Sequence, residues 1–132
     1  MAEKRIAIIP IIKKKSKKHV CLVTTKTSKS WIVPTGKYES DRTHRAVAML
    51  EAYEEAGLVG KLDKAFQKEF TYKKSGSGQK RHIRLYRMDV TKVCKAWPEK
   101  KQRKRDLIPV KSLKAHVTDK NLAKKLSKIL QQ

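Results

Sequence analysis

The chain has 132 residues, of which 34 are Lys or Arg and only 12 are Asp or Glu, so its formal net charge is +22. This length corresponds to a single domain, residues 1–132, and an apolar fraction of 39% is enough for one core. No apolar run approaches the ~18 residues of a membrane span, and two cysteines provide neither a disulfide framework nor a paired-cysteine zinc motif. We therefore expect a reduced, cytoplasmic, soluble protein without membrane association.

Three strands and one helix are predicted in the first half of the chain. Runs of β-favouring residues bounded by polar turns predict strands over residues 5–12, 19–25 and 31–34, the first two forming a hairpin. A polar loop is expected over residues 37–42. Apolar residues at spacings of three and four then predict a helix over residues 43–56, capped by Thr43 or Asp41 and ended by Gly57.

The second half predicts a further set of strands followed by helices. Two long strands are expected over residues 61–72 and 81–93, joined by a mobile Ser-Gly-Ser-Gly connection at residues 75–78. A last strand, a short helix and a final helix follow at residues 105–110, at residues 111–116 and after the capping residue Asp119. This order of strands, helix, strands and helix predicts an α+β fold or a mixed α/β/α layering.

Three carboxylates of the first predicted helix stand at spacings of three and four: Glu51, Glu54 and Glu55. At 100° per residue they project from one helix face, where like charges repel one another. Hard divalent cations such as Mg²⁺ take carboxylate oxygens as ligands and bridge them to substrate phosphates. The trio alone indicates either a solvated acidic helix face or a cation site.

A longer pattern contains this trio. The segments WIVPTGK at residues 31–37 and EAYEEAGL at residues 51–58 resemble the box of the Nudix hydrolase superfamily. The resemblance is strongest to its diphosphoinositol polyphosphate phosphohydrolase and diadenosine polyphosphate hydrolase branch. With Gly36 at the start of the box, the three glutamates and Gly57 fall in register without a gap.

The box is degenerate at two positions. Arg42 stands where the box has Glu, and Leu50 stands where it has Arg. In the family the missing Arg helps to hold the loop and the helix together, and the missing Glu lies near the metal. The two substitutions therefore bear on catalytic rate and on metal number, whereas the three helix carboxylates are intact.

The resemblance implies a fold, a reaction and a set of site residues. The fold is an α/β/α sandwich of the Nudix type with a mixed sheet, and the cofactor is Mg²⁺ or Mn²⁺. Glu51, Glu54 and Glu55 are the implied catalytic and metal-binding residues, and the Gly36 carbonyl is a further ligand. Basic side chains are expected to hold the substrate phosphates: Lys4, Arg5, Lys37, Lys80, Arg81, His82, Arg103 and Arg105.

Two functions are consistent with these features. The first is a Mg²⁺-dependent hydrolase of an anionic small molecule such as a diadenosine polyphosphate, a diphosphoinositol polyphosphate or a related nucleotide, because the excess positive charge attracts polyanions. The alternative is a catalytically weak or inactive Nudix-fold module that binds RNA or another polyanion through the basic residues 13–18 and 100–105. The intact glutamates favour the hydrolase, whereas Arg42 and Leu50 favour the module.

Overall fold

The computed structural model describes residues 3–131 and confirms the predicted α+β class. Its elements are, in chain order, β1 (Glu3–Lys14), β2 (Lys17–Thr24), β3 (Trp31–Ile32), β4 (Thr35–Lys37), α1 (His44–Ala56), β5 (Leu58–Lys73), β6 (Lys80–Val93), β7 (Arg105–Pro109), α2 (Leu113–His116) and α3 (Lys120–Leu130). A 3₁₀ turn, Val110–Ser112, leads into α2. None of the helices in this described part is long and apolar enough to cross a bilayer.

β1 lies in the middle of a mixed sheet. It pairs antiparallel with β2 through residues 11–14 and parallel with β6 through residues 3–11. On the other side of β2 lies β7, and β5 forms the edge beyond β6. Residues 31–37 fill the space where β1 and β2 separate, because β3 pairs with β2 while β4 pairs with β1.

This inserted segment differs from the prediction. The sequence predicts one strand over residues 31–34 followed by a loop, whereas the structure has two short strands separated by Val33 and Pro34. Proline has no N–H to donate to a strand ladder, so the pairing with β2 stops there. The Pro34 carbonyl instead accepts a hydrogen bond from the Ile8 amide at 3.0 Å, and pairing with β1 begins at Thr35. This switch brings β4, and with it Gly36, beneath α1.

The sheet separates two apolar cores, which confirms the sandwich architecture. Successive residues of a strand point to opposite faces, so Ile6 and Ile8 pack beneath α1 while Ala7 and Ile9 pack beneath α2 and α3. The helices complete the cores with small and aliphatic side chains: Val47, Ala48, Ala52 and Ala56 of α1, and Leu113, Leu122, Ala123 and Leu126 of the other two helices.

The connection between β5 and β6 is tied to α3. Asp119, the N-cap of α3, accepts hydrogen bonds from the amide and the hydroxyl of Ser75 at 2.9 and 3.0 Å. The side-chain amide of Asn121 donates to the carbonyl of Lys73 at 2.8 Å. The turn at residues 75–78, predicted to be mobile, is therefore anchored to the N-terminus of a helix.

Both ends of α1 are formed by the residues that the sequence predicts. The Thr43 hydroxyl accepts a hydrogen bond from the Ala46 amide at 3.1 Å, which caps the N-terminus. At the other end, Gly57 adopts a left-handed φ of 67°. A Cβ at Gly57 would lie 3.0 Å from side-chain atoms of Trp97 and Arg105. Backbone conformation and close packing therefore both require glycine here.

We expect Gly57→Ala to destabilise the protein more than Gly76→Ala. Both glycines have positive φ, 67° and 90°, where an L-residue costs roughly 1–2 kcal/mol. A Cβ at Gly76 meets nothing within 4 Å, so only Gly57→Ala adds the cost of overpacking, typically about 1–3 kcal/mol. Urea-induced unfolding of the two variants measures the difference. Equal losses of stability would show that Trp97 and Arg105 move aside without cost.

Candidate active site

The C-terminus of α1 is held by a segment that follows the last long strand. A helix leaves its last four carbonyls without partners inside the helix. Here the carbonyls of residues 53–56 accept hydrogen bonds at 2.8, 3.0, 3.0 and 2.7 Å from the Gly57 amide, the Glu99 amide, the Trp97 indole N–H and the Arg105 guanidinium. We call residues 97–105 the capping segment. It fixes the part of α1 that carries the three predicted carboxylates.

Arg105, the last residue of the capping segment, connects it to the end of α1. Its guanidinium donates to the carbonyls of Ala56 and Cys94 at 2.7 and 2.9 Å. It also lies over the Trp97 ring, 4.0 Å from the ring centroid, in a cation–π contact. The sequence predicts that Arg105 holds substrate phosphate; in the structure its Nη1 atom donates at the end of α1, and the residue does not line the cleft that opens beside Glu55.

Glu51 and Glu55 form a carboxyl pair on successive turns of α1, in which a hydrogen bond can be made while one of the two is protonated. Glu55 is only 4% exposed, and Glu51 is half-buried. Burial raises the pKa of Glu55 to about 9, and the hydrogen bond with Glu51 contributes to the increase. Burial likewise raises the pKa of Glu51. Without a cation, the pair therefore retains a proton at neutral pH.

β4 and the capping segment approach this pair from two sides. The Thr35 amide donates to Oε1 of Glu55 at 3.2 Å, and the Arg103 guanidinium lies 3.7 Å from its Oε2. A Cβ at Gly36 would lie 2.5 Å from Cγ of Glu51. Only glycine therefore lets β4 pass this close to α1, and the predicted association of Gly36 with the glutamates is present in the structure.

Glu54 lies on the same turn but outside the hydrogen-bonded pair. Within residues 3–131, no three His, Cys, Asp or Glu side chains converge closely enough to hold a metal as they stand. The oxygen donors of Glu51 and Glu55 and the nearby backbone of Gly36 nevertheless suit a hard cation such as Mg²⁺ or Mn²⁺. Such an ion would replace the proton that the buried pair holds.

Glu99 is a fourth carboxylate, and the sequence motif does not include it. Its amide donates to the Glu54 carbonyl at 3.0 Å. Burial is the main cause of the raised pKa of Glu51, and the charges of Glu54 and Glu99 add to it. In the sequence, one feature could have indicated a role for Glu99: it is the sole acid in the basic stretch of residues 95–105.

A cleft of about 460 Å³ opens beside Glu55 on the α3 side of the sheet. Two carboxylates line it, those of Glu55 and Asp119. Five cationic side chains also line it: Arg5, Lys26, Lys74, Arg81 and Arg103. Much of the remaining wall carries hydroxyl groups, from Thr25, Thr27, Ser28, Ser30, Ser75 and Thr118. The cleft is therefore suited to an anionic, hydrogen-bonding ligand.

Three of the eight predicted phosphate-binding residues line this cleft, namely Arg5, Arg81 and Arg103. Lys4 precedes Arg5 on β1 and must point to the opposite face of the sheet, where its pairing neighbour is His82. Three more of the predicted residues do not line the cleft: Lys37, Lys80 and Arg105. Lys37 pairs with Arg5 between β4 and β1, and Lys80 is exposed. The strand geometry therefore places Arg5, and not Lys4, at the cleft.

Arg81 brings an unused donor to the cleft. Its Nε atom is buried and makes no hydrogen bond within the described residues, and the nearest carboxylate oxygen, on Glu3, is 3.6 Å away. A buried N–H without an acceptor is destabilising by about 1–3 kcal/mol. Arg81 itself lines the cleft, where its guanidinium adds positive charge.

The protein without metal should lose stability as pH rises. Folded Glu55 binds its proton more tightly than the unfolded chain does, so its contribution is complete below the ordinary pKa of 4.5 and disappears as pH rises to about 9. Glu55→Gln keeps an acceptor for the Thr35 amide and should remove the part of this dependence that Glu55 contributes, leaving the smaller part due to Glu51. Thermal unfolding of both proteins in chelator across that interval measures the effect. An equally steep decline in the variant would contradict the assignment.

Comparisons with known proteins identify the family. A family model described as the NUDIX domain matches residues 2–130. A comparison with curated protein sequences gives no match.

Similar solved structures share the fold at low sequence identity. An Ap4A hydrolase from C. elegans has a TM-score of 0.71 and 14% identity, covering 99% of this chain and 95% of that one. A NUDIX hydrolase from Nitrosomonas europaea has a TM-score of 0.76 and 12% identity, with coverage of 99% and 89%. The NUDIX domain of Shewanella oneidensis NrtR, complexed with ADP ribose, has a TM-score of 0.69 and 11% identity, with coverage of 100% and 90%. Because the family model spans nearly the whole chain, the protein belongs to the Nudix family.

Proposed function

We propose that this protein is a metal-dependent hydrolase that cleaves a phosphoanhydride in a highly anionic, diphosphate-containing substrate. The observation that carries the proposal is the buried carboxyl pair, Glu51 and Glu55, beside a cleft with five cationic side chains. The names of similar proteins support it, since Ap4A and ADP ribose both contain phosphoanhydrides. Glu51 and Glu55 would hold a divalent cation, which would neutralise negative charge on the pair and on the substrate phosphates.

The chain's own residues provide position and charge for this reaction. Glu51, Glu55 and the Gly36 carbonyl would hold the cation, with Glu54 and Glu99 completing the acidic surroundings. When bound, Mg²⁺ or Mn²⁺ supplies the Lewis acidity that activates water for attack on phosphorus. Because phosphoryl transfer depends mainly on positioning and on charge neutralisation, the contacts that hold the C-terminus of α1 also serve the reaction.

Arg103 links the capping segment to the carboxyl pair. Its guanidinium donates to Oε1 of Glu99 at 2.6 Å and to the Thr24 carbonyl at 3.1 Å, and it lies 3.7 Å from Glu55. The side chain is only 12% exposed, so these interactions are poorly screened by water. Arg103 thus holds Glu99 beside the pair and partly balances the negative charge of the site.

The degenerate box is compatible with this site. Arg42, where the box has Glu, lies exposed in the loop before α1 and pairs with Glu39 at 3.2 Å. Glu99 brings a carboxylate toward Glu51 from a different segment of the chain. We infer that Glu99 compensates for the acid that is missing at position 42.

Charge, more than aromatic stacking, is the basis for substrate recognition in this proposal. The aromatic side chains that line the cleft are Trp31 and Tyr72. Tyr72 is only 5% exposed and packs in the core, and Trp31 is half-buried. Arg5 and Arg81 would instead hold phosphates remote from the reacting bond through charge-assisted hydrogen bonds.

The first test is Mg²⁺-dependent hydrolysis of diadenosine polyphosphates, diphosphoinositol polyphosphates and ADP ribose, with the phosphorylated products separated and quantified by anion-exchange chromatography. We expect turnover that Glu55→Gln and Glu51→Gln each lower by more than about a hundredfold, since even outer-sphere partners of a metal are worth 10–100-fold. The matched control is Asp106→Asn, which neutralises an exposed carboxylate on β7 outside the cleft. Tight polyanion binding by the wild type without turnover of any substrate would favour the inactive module.

The second test concerns recognition. Arg81→Gln should raise KM for substrates with several phosphates by about tenfold or more with little change in kcat, because a hydrogen bond to a charged group contributes about 1.5–3 kcal/mol. Arg87→Gln is the control, since Arg87 is also on β6 and also has a buried Nε without a partner but lies outside the cleft. Equal effects of the two substitutions would exclude a specific role for Arg81.

A further inference from the structure

We propose that a second basic surface, separate from the cleft, binds the phosphate backbone of nucleic acid. This surface, which we call the lysine face, combines the β1–β2 hairpin, the turn before α2 and the outer side of α3. Its members are the exposed residues Lys13, Lys14, Lys17, Lys18, Lys111, Lys124, Lys125 and Lys128. The proposal does not depend on the hydrolase activity.

In the hairpin, lysines stand opposite lysines. Lys13 pairs with Lys18, and Lys14 pairs with Lys17, in the antiparallel register. Like charges directly opposite each other across a strand pair are destabilising. The turn between them, Lys15 and Ser16, also has positive φ at both residues, 50° and 68°, which non-glycine residues seldom adopt. The hairpin therefore carries an unfavourable charge arrangement that an anion would relieve.

The outer side of α3 repeats this arrangement. Lys124 and Lys128 are four residues apart and Lys125 and Lys128 are three apart, so these like charges are neighbours on the helix surface. The helix itself contains no Asp or Glu. Along the part of the chain that the structure describes, no ion pair involves any lysine of the lysine face. No direct ion pair among the described residues therefore offsets the repulsion between these lysines.

A groove brings the three segments together. It has a volume of about 510 Å³, and Lys17 and Lys18 of the hairpin, Lys111 of the turn and Ser127 of α3 are among the residues that line it. It shares no lining residue with the cleft beside Glu55. The cations in the groove belong to the hairpin and to the turn before α2, and Pro109, Val110 and Leu130 add apolar surface to its wall. A bound strand could therefore contact Lys17, Lys18 and Lys111 without occupying the candidate active site, and the lysines of α3 lie beside the groove.

The burial pattern favours nucleic acid over a membrane surface. A helix that binds a membrane needs a free apolar face, but Leu122, Ala123 and Leu126 of α3 are buried in the core. The exposed large apolar side chains among the described residues, Met49, Tyr53, Val59 and Val93, belong to α1, β5 and β6. A phosphate backbone requires only spaced cations, because its binding is driven by counterion release.

The test compares two variants from which the same charge has been removed. The face variant carries Lys17→Gln, Lys18→Gln, Lys111→Gln and Lys128→Gln. The control variant carries Lys61→Gln, Lys64→Gln, Lys68→Gln and Lys92→Gln, all at exposed positions of β5 and β6. Fluorescence anisotropy with a labelled single-stranded RNA and a labelled duplex DNA is measured across a series of salt concentrations.

We expect the wild type and the control variant to bind with similar affinity, and the face variant to bind at least about tenfold more weakly. Its plot of log affinity against log salt should also be shallower, by about 0.7 for each phosphate of the single strand that the variant no longer neutralises. Equal weakening in both variants would show that diffuse net charge alone is responsible and would overturn the proposal. Tighter binding of the wild type to phosphatidylserine vesicles than to either nucleic acid would also overturn it.

Two further measurements, of melting temperature and of hydrolysis, separate weaker nucleic-acid binding from a loss of folding and from a loss of the proposed hydrolase activity. The melting temperature of the face variant should equal or exceed that of the wild type, because the replaced lysines repel one another. A lower melting temperature would contradict the like-charge interpretation. Hydrolysis of small substrates should be unchanged in the face variant. If the wild type hydrolyses nothing, the hydrolase proposal fails while the comparison of nucleic-acid affinities retains its meaning.

Discussion

A carboxyl group in a site that water barely reaches is the constraint on which this structure depends. Glu55 is 4% exposed, and an isolated buried carboxylate would be very unfavourable. Three groups decide its charge: the Thr35 amide and the Arg103 guanidinium stabilise the carboxylate, whereas the neighbouring carboxyl of Glu51 favours the protonated form. Each comes from a different element, so the site exists only when α1, β4 and the capping segment have all assembled around it.

The position of the carboxylates on α1 carries a second cost. The C-terminus of a helix is the negative end of its dipole, where acids are unfavourable by typically 0.3–1 kcal/mol each. Glu54 and Glu55 lie in the last turn, which contains no basic residue of its own. The capping segment compensates from outside the helix, because Trp97 and Arg105 donate to the terminal carbonyls. A local arrangement suited to binding a cation is therefore stabilised by residues 42 and 49 positions further along the chain.

Features set by local chemistry were predictable from the sequence, and features set by long-range packing were not. The cap at Thr43, the stop at Gly57 and the shared face of the glutamates follow from helix periodicity and backbone preference. The proximity of Gly36 to Glu51 followed from the resemblance to the Nudix box. By contrast, Glu99 reaches the site only through the fold of the capping segment, for which no periodic pattern exists.

Basic residues were the least predictable class for a similar reason. In a chain this rich in lysine, proximity in sequence says little about which side chains share a surface. Lys4 and Arg5 are adjacent, yet the alternation of β1 sends them to opposite faces of the sheet. Arg81 and Arg103 are far apart in sequence, yet both line the same cleft.

The central position of β1 limits how the chain can change its length. Arg5 lines the cleft, and Ile6 packs beneath α1, so one strand supplies a ligand-facing side chain and a core side chain in consecutive positions. A one-residue slip of pairing would exchange these roles along the whole strand. Because β1 is bonded to β2, β4 and β6 at once, a single-residue deletion near Arg5 would misplace groups in the core and the cleft together. At this strand the fold therefore accommodates replacement of a side chain more readily than insertion or deletion of a residue.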